Sequence, residues 1–266
     1  LGEDLPVAPG TGGIRAAALA RDAEGAVWVA SGAENGRVQV LRVAATGQWT
    51  EVCAGPWHKN TVHDLAFSPG ARHLATASED GRIALVEIAG GACGEPRYLE
   101  PQAGAVTNVR FAPDGQTLVT ASGEGEAQAW GLDGTPLAQL SGHKARILSL
   151  EFSPDGDWLL TASRDGTVRL WPSPTAARDE PLTAYLTLSA GLGSAAHASF
   201  SPDGLSIGAA YRNDVALLWQ VWNEGPGTDP TLAETWGADR ARLSLIQAVR
   251  RFMDENLQPV RPLPAP

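Results

Sequence analysis

Four stretches of this chain repeat one phrase, and that self-similarity constrains the fold more than any other feature. LAFSPGARHLATASEDGRIALVE, VRFAPDGQTLVTASGEGEAQAWG, LEFSPDGDWLLTASRDGTVRLWP and ASFSPDGLSIGAAYRNDVALLWQ align on Phe67, Phe111, Phe152 and Phe200, at spacings of 44, 41 and 48 residues. A weaker copy, LARDAEGAVWVASGAENGRVQVLR, precedes them, with Gly25 in the place of the turn glycine. A period of about 40–45 residues is the length of one four-stranded propeller blade. A unit of that size cannot bury its apolar faces alone, so consecutive copies must stack.

The fourth copy shows how the phrase encodes strands. Ile147, Leu148, Leu150 and Phe152 form an alternating apolar stretch, the pattern of a strand with one face buried. Ser153-Pro154-Asp155-Gly156 is a turn: Pro presets φ, Asp bonds its own backbone, and Gly supplies positive φ. Trp158 to Ser163 makes a second strand, Arg164-Asp165-Gly166 a tight hairpin, and Thr167 to Trp171 a third strand. A fourth, outer strand is expected in the residues up to about Leu188. The small Ala and Ser residues near the second strand suit a crowded centre where blades meet. Thirty Gly and nineteen Pro fit such short strands and tight turns.

These residues resemble the WD-repeat family, whose signature is a Gly-His pair before the first strand and a Trp-Asp pair ending the third. The resemblance covers roughly residues 12–222 and rests most firmly on copy four, with Gly142-His143, Ser163, Asp165 and Trp171. It implies an all-β propeller of four-stranded antiparallel blades, about five in this chain. It also implies a buried hydrogen-bonded chain from Trp171 through Ser163 and His143 to Asp165, in which indole, hydroxyl, imidazole and carboxylate satisfy one another. Other copies keep parts of it. Copy two has His58, Ser78 and Asp80, with Val86 where Trp is expected. Copy three has Ser122 and Trp130, with Gln102 and Glu124 in the His and Asp places. Copy five keeps Trp219, while Gly191 and Tyr211 replace His and Ser; copy one keeps only Asn35-Gly36. The Trp at the end of the third strand also explains nine Trp against five Phe and three Tyr.

A Ser, a His and an Asp together raise the question of a catalytic triad. His143, Ser163 and Asp165 occupy repeat positions with equivalents elsewhere, which marks scaffold chemistry, and a hydroxyl tied to an indole has neither exposure nor an oxyanion hole. His58, His63 and His73 are close in sequence but not at a spacing that converges on a metal. The Asp-Gly turns lack the clustered carboxylates of a calcium loop, and every Gly pair belongs to a hairpin rather than a phosphate loop. No catalytic residue, cofactor or metal is expected. The competing reading is a propeller enzyme, hydrolase or lactonase-like, with a central-channel site; the channel-facing positions read as small and apolar, against it.

A formal net charge of −10 disfavours nucleic acid as a partner, because basic residues cluster only modestly near the C-terminus. No apolar run reaches transmembrane length, and LGEDLPVAPG lacks the architecture of a signal segment. Cys53 and Cys93 fit neither a disulfide framework nor a metal site and read as separate thiols in a reducing compartment, so the cytoplasm is expected.

The organisation expected is a propeller over 1–222, with repeats near 12–57, 58–102, 103–142, 143–190 and 191–222. Residues 223–266 then hold a loop, an amphipathic helix and a Pro-rich tail. In that helix Leu243, Ile246, Val249, Phe252 and Met253 form the apolar stripe, behind a cap at Asp239. Residues 1–11 could add one outer strand to a blade. The chain starts with Leu, its only Met is Met253, and five repeats are fewer than the family's usual seven; these point to part of a longer protein.

The family resemblance implies contacts through the face that carries the turns between second and third strands. Residues just before the turn acid point outward there: Glu79, Gly123, Arg164 and Arg212, with Thr61, Arg146 and Ser194 at the starts of first strands. Glu79, Arg146, Arg164 and Arg212 are the partner-binding candidates, and their exposed arginines suit an acidic or phosphorylated peptide. The function expected is a non-catalytic protein-interaction scaffold, the C-terminal docking or sensor part of a larger, bacterial-style regulatory chain. Its partners are other proteins or peptides, not nucleic acid or membrane.

Overall fold

In the computed structural model the repeated phrase becomes the first three strands of a sheet, five times over. The structure describes residues 12–44, 46–99, 104–178 and 180–221. Blade 1 holds β1 (Ile14–Arg21), β2 (Val27–Ala33), β3 (Arg37–Val43) and β4 (Trp49–Pro56). Blade 2 holds β5 (Val62–Phe67), β6 (His73–Ser78) and β7 (Ile83–Ala89), with its outer position shared by β8 (Ala92–Cys93) and β9 (Arg97–Tyr98), both paired with β7. Blade 3 holds β10 (Val106–Phe111), β11 (Thr117–Ser122), β12 (Ala127–Gly131) and β13 (Pro136–Leu140). Blade 4 holds β14 (Ile147–Phe152), β15 (Trp158–Ser163), β16 (Thr167–Pro172) and β17 (Leu186–Ser189). Blade 5 has three strands among the described residues: β18 (Ala195–Phe200), β19 (Ser206–Tyr211) and β20 (Val215–Gln220). All pairing within blades is antiparallel, and each strand except β9, which pairs with β7, lies beside its chain neighbour. The expected C-terminal helix and tail, and the strand offered by residues 1–11, lie outside the described residues.

The core is divided between the blades rather than centred in any of them. Four buried clusters exist, each built from two consecutive blades. At the interface of blades 4 and 5, Leu160, Ala162, Val168 and Leu170 from the earlier blade meet Ala198, Phe200, Ile207 and Trp219 from the later one. Second strands are therefore covered on both faces: every residue of β11 is buried, and β15 is buried from Leu159 to Ser163. This is why Ala, Thr and Ser are so frequent there.

The outermost faces of the arc lack such cover. Leu218 occupies in blade 5 the position of Leu170 in blade 4, yet it is 55% exposed where Leu170 is 1%. Leu19 stands in blade 1 where the other copies have their anchor Phe, and is 73% exposed against 9% for Phe111 and Phe200.

Turns carry the conformations the phrase predicts. Gly156 (φ +81°) and Gly166 (φ +84°) close the two hairpins of blade 4, donating to Ser153 O (2.9 Å) and Ser163 O (3.1 Å). Gly166 is required for a second reason, since a Cβ there would lie 2.7 Å from Gly193 O in the loop entering the next blade.

Two features depart from the sequence reading. Cys53 on β4 and Cys93 on β8 form a disulfide, closing 40 residues and tying the outer edges of blades 1 and 2 together. Two outer strands of adjacent blades approach at their rims, a proximity that linear spacing does not reveal. Disulfides persist in oxidising surroundings, so the cytoplasmic expectation can no longer rest on these cysteines. The inner strands, moreover, are not uniformly small and apolar. Asp64, Asn108, Ser149 and His197 share one repeat position on β5, β10, β14 and β18. The first three bond the following blade: Asp64 accepts from Val109 N–H (3.0 Å), Asn108 donates to Leu148 O (3.3 Å), and Ser149 accepts from Ala198 N–H (3.0 Å). Inner-edge backbone that has no ladder partner is thereby satisfied by side chains.

Candidate partner-docking site

The buried hydrogen-bond chain of blade 4 runs Trp171 Nε1–H to Thr161 Oγ1 (2.9 Å), Thr161 Oγ1 with His143 Nε2 (2.7 Å), and His143 Nδ1 with Asp165 Oδ2 (3.0 Å). The donors line up in one direction if His143 is neutral with its proton on Nδ1: indole to hydroxyl, hydroxyl to imidazole, imidazole to carboxylate. Burial lowers the His143 pKa against the pull of Asp165, which favours that neutral ring. Asp165 is pushed up by burial, but bonds from the Thr167 side chain and from the backbone of Lys144 and Thr167, with His143, outweigh this and hold it far below the usual carboxylate range.

The hydroxyl in that chain is Thr161, not Ser163. On β15, Leu159 pairs with Trp171 and Thr161 with Arg169, so Thr161 is the diagonal neighbour an indole reaches. Ser163 lies two residues, about 7 Å, further along the strand. There it donates to Ala145 O (2.8 Å) and accepts from Asp165 N–H (3.1 Å), organising the turn. The same displacement recurs. His58 bonds Thr76 (2.7 Å) and Asp80 (3.2 Å), while Ser78 donates to Asn60 O (3.2 Å). Trp130 donates to Thr120 (2.9 Å), while Ser122 accepts from Glu124 N–H (3.3 Å). Blade 5 buries Trp219 with Ala209 at the hydroxyl position, and Tyr211 Oη is buried without a described partner. Gln102 lies outside the described residues. With His143 Nε2 taken by Thr161 and its side chain fully buried, Ser163 has no base beside it.

The recess that these blades frame has a volume of ≈ 410 Å³ and is lined by His63, Thr107, Asn108, Arg146, Ile147, Leu148, Arg164 and Arg212. It spans blades 2 to 5 and brings together Arg146, Arg164 and Arg212 from the sequence-derived candidates. Backbone bonds set the turn residues: Arg164 N–H donates to Arg146 O (2.9 Å) and Arg212 N–H to Ser194 O (3.1 Å). Glu79 does not line the recess; it hydrogen-bonds His63. Thr61 donates instead to Glu34 O (3.2 Å), and Ser194 Oγ is buried without a described partner.

Sequence reasoning missed His63, Thr107, Asn108, Ile147 and Leu148 as lining residues, and a single device explains His63, Thr107 and Leu148. Every first strand has a register shift at its second residue, between Ile14/Ala16, Val62/Asp64, Val106/Asn108, Ile147/Ser149 and Ala195/His197. The skipped residues are Arg15, His63, Thr107, Leu148 and Ala196. A β-bulge re-aims its extra side chain, here into the recess for the three central blades. No residue type marks the bulge, so the alternation alone could not find it.

The turn residue beside each bulge sets the charge. In blade 1 Arg15 pairs with Glu34 (2.5 Å), and in blade 2 His63 pairs with Glu79. In blades 4 and 5 the turn residue is Arg164 or Arg212 and the bulge residue is Leu148 or Ala196, so no counter-charge stands there. Among the described residues none forms an ion pair with Arg146, Arg164 or Arg212.

Comparison with known proteins agrees with this architecture. The family described as WD domain, G-beta repeat matches residues 50–86, 96–130 and 134–172. Each match begins in or before an outer strand (β4, β9, β13) and runs through the first three strands of the next blade. The sequence repeat and the sheet are thus out of phase by one strand. Protein Atg16l2 of Mus musculus is 33% identical over 73 residues, which make up 27% of this chain and 12% of that protein. This chain therefore spans only a small part of the length of that curated relative. WD40 repeats generally mediate protein–protein interaction and are typically non-enzymatic scaffolds. Three of the five repeats thus match that family model, and the sheets have the blade architecture such repeats imply.

Proposed function

We propose that this domain is a non-catalytic docking module of a larger regulatory protein, and that a protein partner seats on the turn face of blades 2–5. The observation that carries the reading is the recess itself. Its volume of ≈ 410 Å³ falls in the range of specific binding sites, about 300–1,000 Å³. Side chains from four blades converge on it, and three of them are arginines, a residue enriched at interface hot spots. The residues that resemble a triad are spent on one another and on backbone. Polar groups of the inner strands are spent in the same way, on the following blade.

The test is affinity capture with the chain and with the Arg164→Glu, Arg212→Glu double variant, after matched thermal melts. Partners held by the parent and released by the variant support the reading. Partners held equally by both remove the recess as the docking site.

A further inference from the structure

We infer that the recess recognises a phosphorylated side chain on the partner, a phosphomonoester held among Arg146, Arg164 and Arg212; this rests on the docking reading above. The argument starts from how the chain treats its turn charges. Where the turn residue is charged in blades 1 and 2, the bulge residue engages it: Arg15 ion-pairs with Glu34, and His63 hydrogen-bonds Glu79. Where the turn residue is Arg164 or Arg212, the bulge position holds Leu148 or Ala196, which cannot. Arg146 joins them at the start of β14, and none of the eight lining residues is a carboxylate.

This happens in a chain of net charge −10, in which an acidic partner for an exposed arginine is easy to supply. Three guanidiniums sharing one recess repel one another, and the repulsion is relieved when an anion arrives. A single carboxylate carries one charge and suits one bidentate arginine. A phosphomonoester carries about −1.5 to −2 charges at pH 7 and three strong acceptor oxygens, enough to engage several arginines at once. The chain's net charge of −10 disfavours a long polyanionic strand and leaves a single anionic group as the better fit.

The bulge residues complete the site. Thr107 Oγ1 is committed to Ile147 O (3.1 Å) and Asn108 Nδ2 to Leu148 O (3.3 Å), which fixes the recess wall without adding a competing acid. Leu148, half-buried, gives that wall an apolar contact for the carbon atoms of the partner.

The experiment uses fluorescence polarisation with the full chain and three short degenerate peptide pools, carrying a central phosphoserine, serine or glutamate. The phosphoserine pool should bind at least about tenfold more tightly than the glutamate pool. The preference should vanish both in Arg164→Ala, Arg212→Ala and in Arg146→Gln. Equal binding of the phosphoserine and glutamate pools overturns the inference in favour of an acidic peptide, and retention of the preference in both arginine variants overturns the site. Inorganic phosphate or a single-stranded oligonucleotide displacing the peptide at its own concentration overturns the assignment to a peptide. Phosphatase treatment of captured partners separates the two readings. Arginine-dependent capture that survives phosphatase defeats the phosphate alone, whereas capture indifferent to the arginines defeats the docking site itself.

Discussion

Cys53 and Cys93 are disulfide-bonded across the rim of two neighbouring blades, joining β4 to the short edge strand β8. The bond restrains the unfolded chain over 40 residues, and loop closures of this kind contribute about 2–4 kcal/mol. Reduction, or Cys93→Ala, is expected to lower the melting temperature without moving the recess. The check is a melt with and without reductant beside thiol titration of the unfolded chain; detection of two free thiols before reduction would contradict the bond.

The buried hydroxyls separate into two classes. Thr161→Val leaves both Trp171 Nε1 and His143 Nε2 without a partner and is expected to cost about 1–3 kcal/mol. Ser163→Ala removes turn bonds only, at about 0.5–1.5 kcal/mol. Trp171→Ala is expected to cost about 3–5 kcal/mol through the cavity it opens. Urea titrations of the three variants rank them; a larger loss for Ser163→Ala than for Thr161→Val would return the serine to the chain.

Acid should weaken the fold in a defined window. Burial lowers the pKa of His58 and His143 below the ordinary value of 6.5. The unfolded chain therefore binds protons that the folded one refuses. Their contribution is complete above pH 6.5 and is lost as pH falls below it toward the folded pKa values. Asp64 and Glu151, raised by burial, act with the opposite sign at lower pH, since protonation relieves their cost in the folded state. A His58→Gln, His143→Gln variant is expected to start less stable at pH 7.5 and to show a shallower fall in melting temperature between pH 6.5 and 5. Parallel slopes for variant and parent would show that these rings do not set the acid limb.

Leu170 and Leu218 hold the same repeat position in covered and open surroundings. Leu170→Ala is expected to cost about 2–5 kcal/mol. Leu218→Ala, at 55% exposure, is expected to stay within about 0.5 kcal/mol. A comparable loss from Leu218→Ala, read by chemical denaturation, would mean that this face is covered in solution.

What the sequence discloses and what it hides follow from the physics of each element. Phe111, Phe152 and Phe200 end strands whose alternation and following Pro-Asp-Gly turns are local, so blade order and hairpins are readable. Assigning Ser163 rather than Thr161 fails by two residues, because a strand puts both on the same face and only cross-strand register distinguishes them. His63, Thr107 and Leu148 escape because a bulge is a property of pairing, not of residue type. Gly90 and Gly91, both at positive φ, turn β7 back into the short strand β8, which brings Cys93 to the rim. The meeting of Cys53 and Cys93 is decided by how blades stack, which no single repeat contains.

The offset between the sequence repeat and the sheet has an ancestral consequence. Each tandem unit carries the rim of one blade and the inner strands of the next, together with the side chain (Asp64, Asn108 or Ser149) that satisfies its successor. A gene duplication that copies one whole unit inherits both halves of a joint and can be spliced into the series at once. A chain built from such units can therefore change length in whole steps, even though the joint residue itself is Asp, Asn or Ser from one unit to the next.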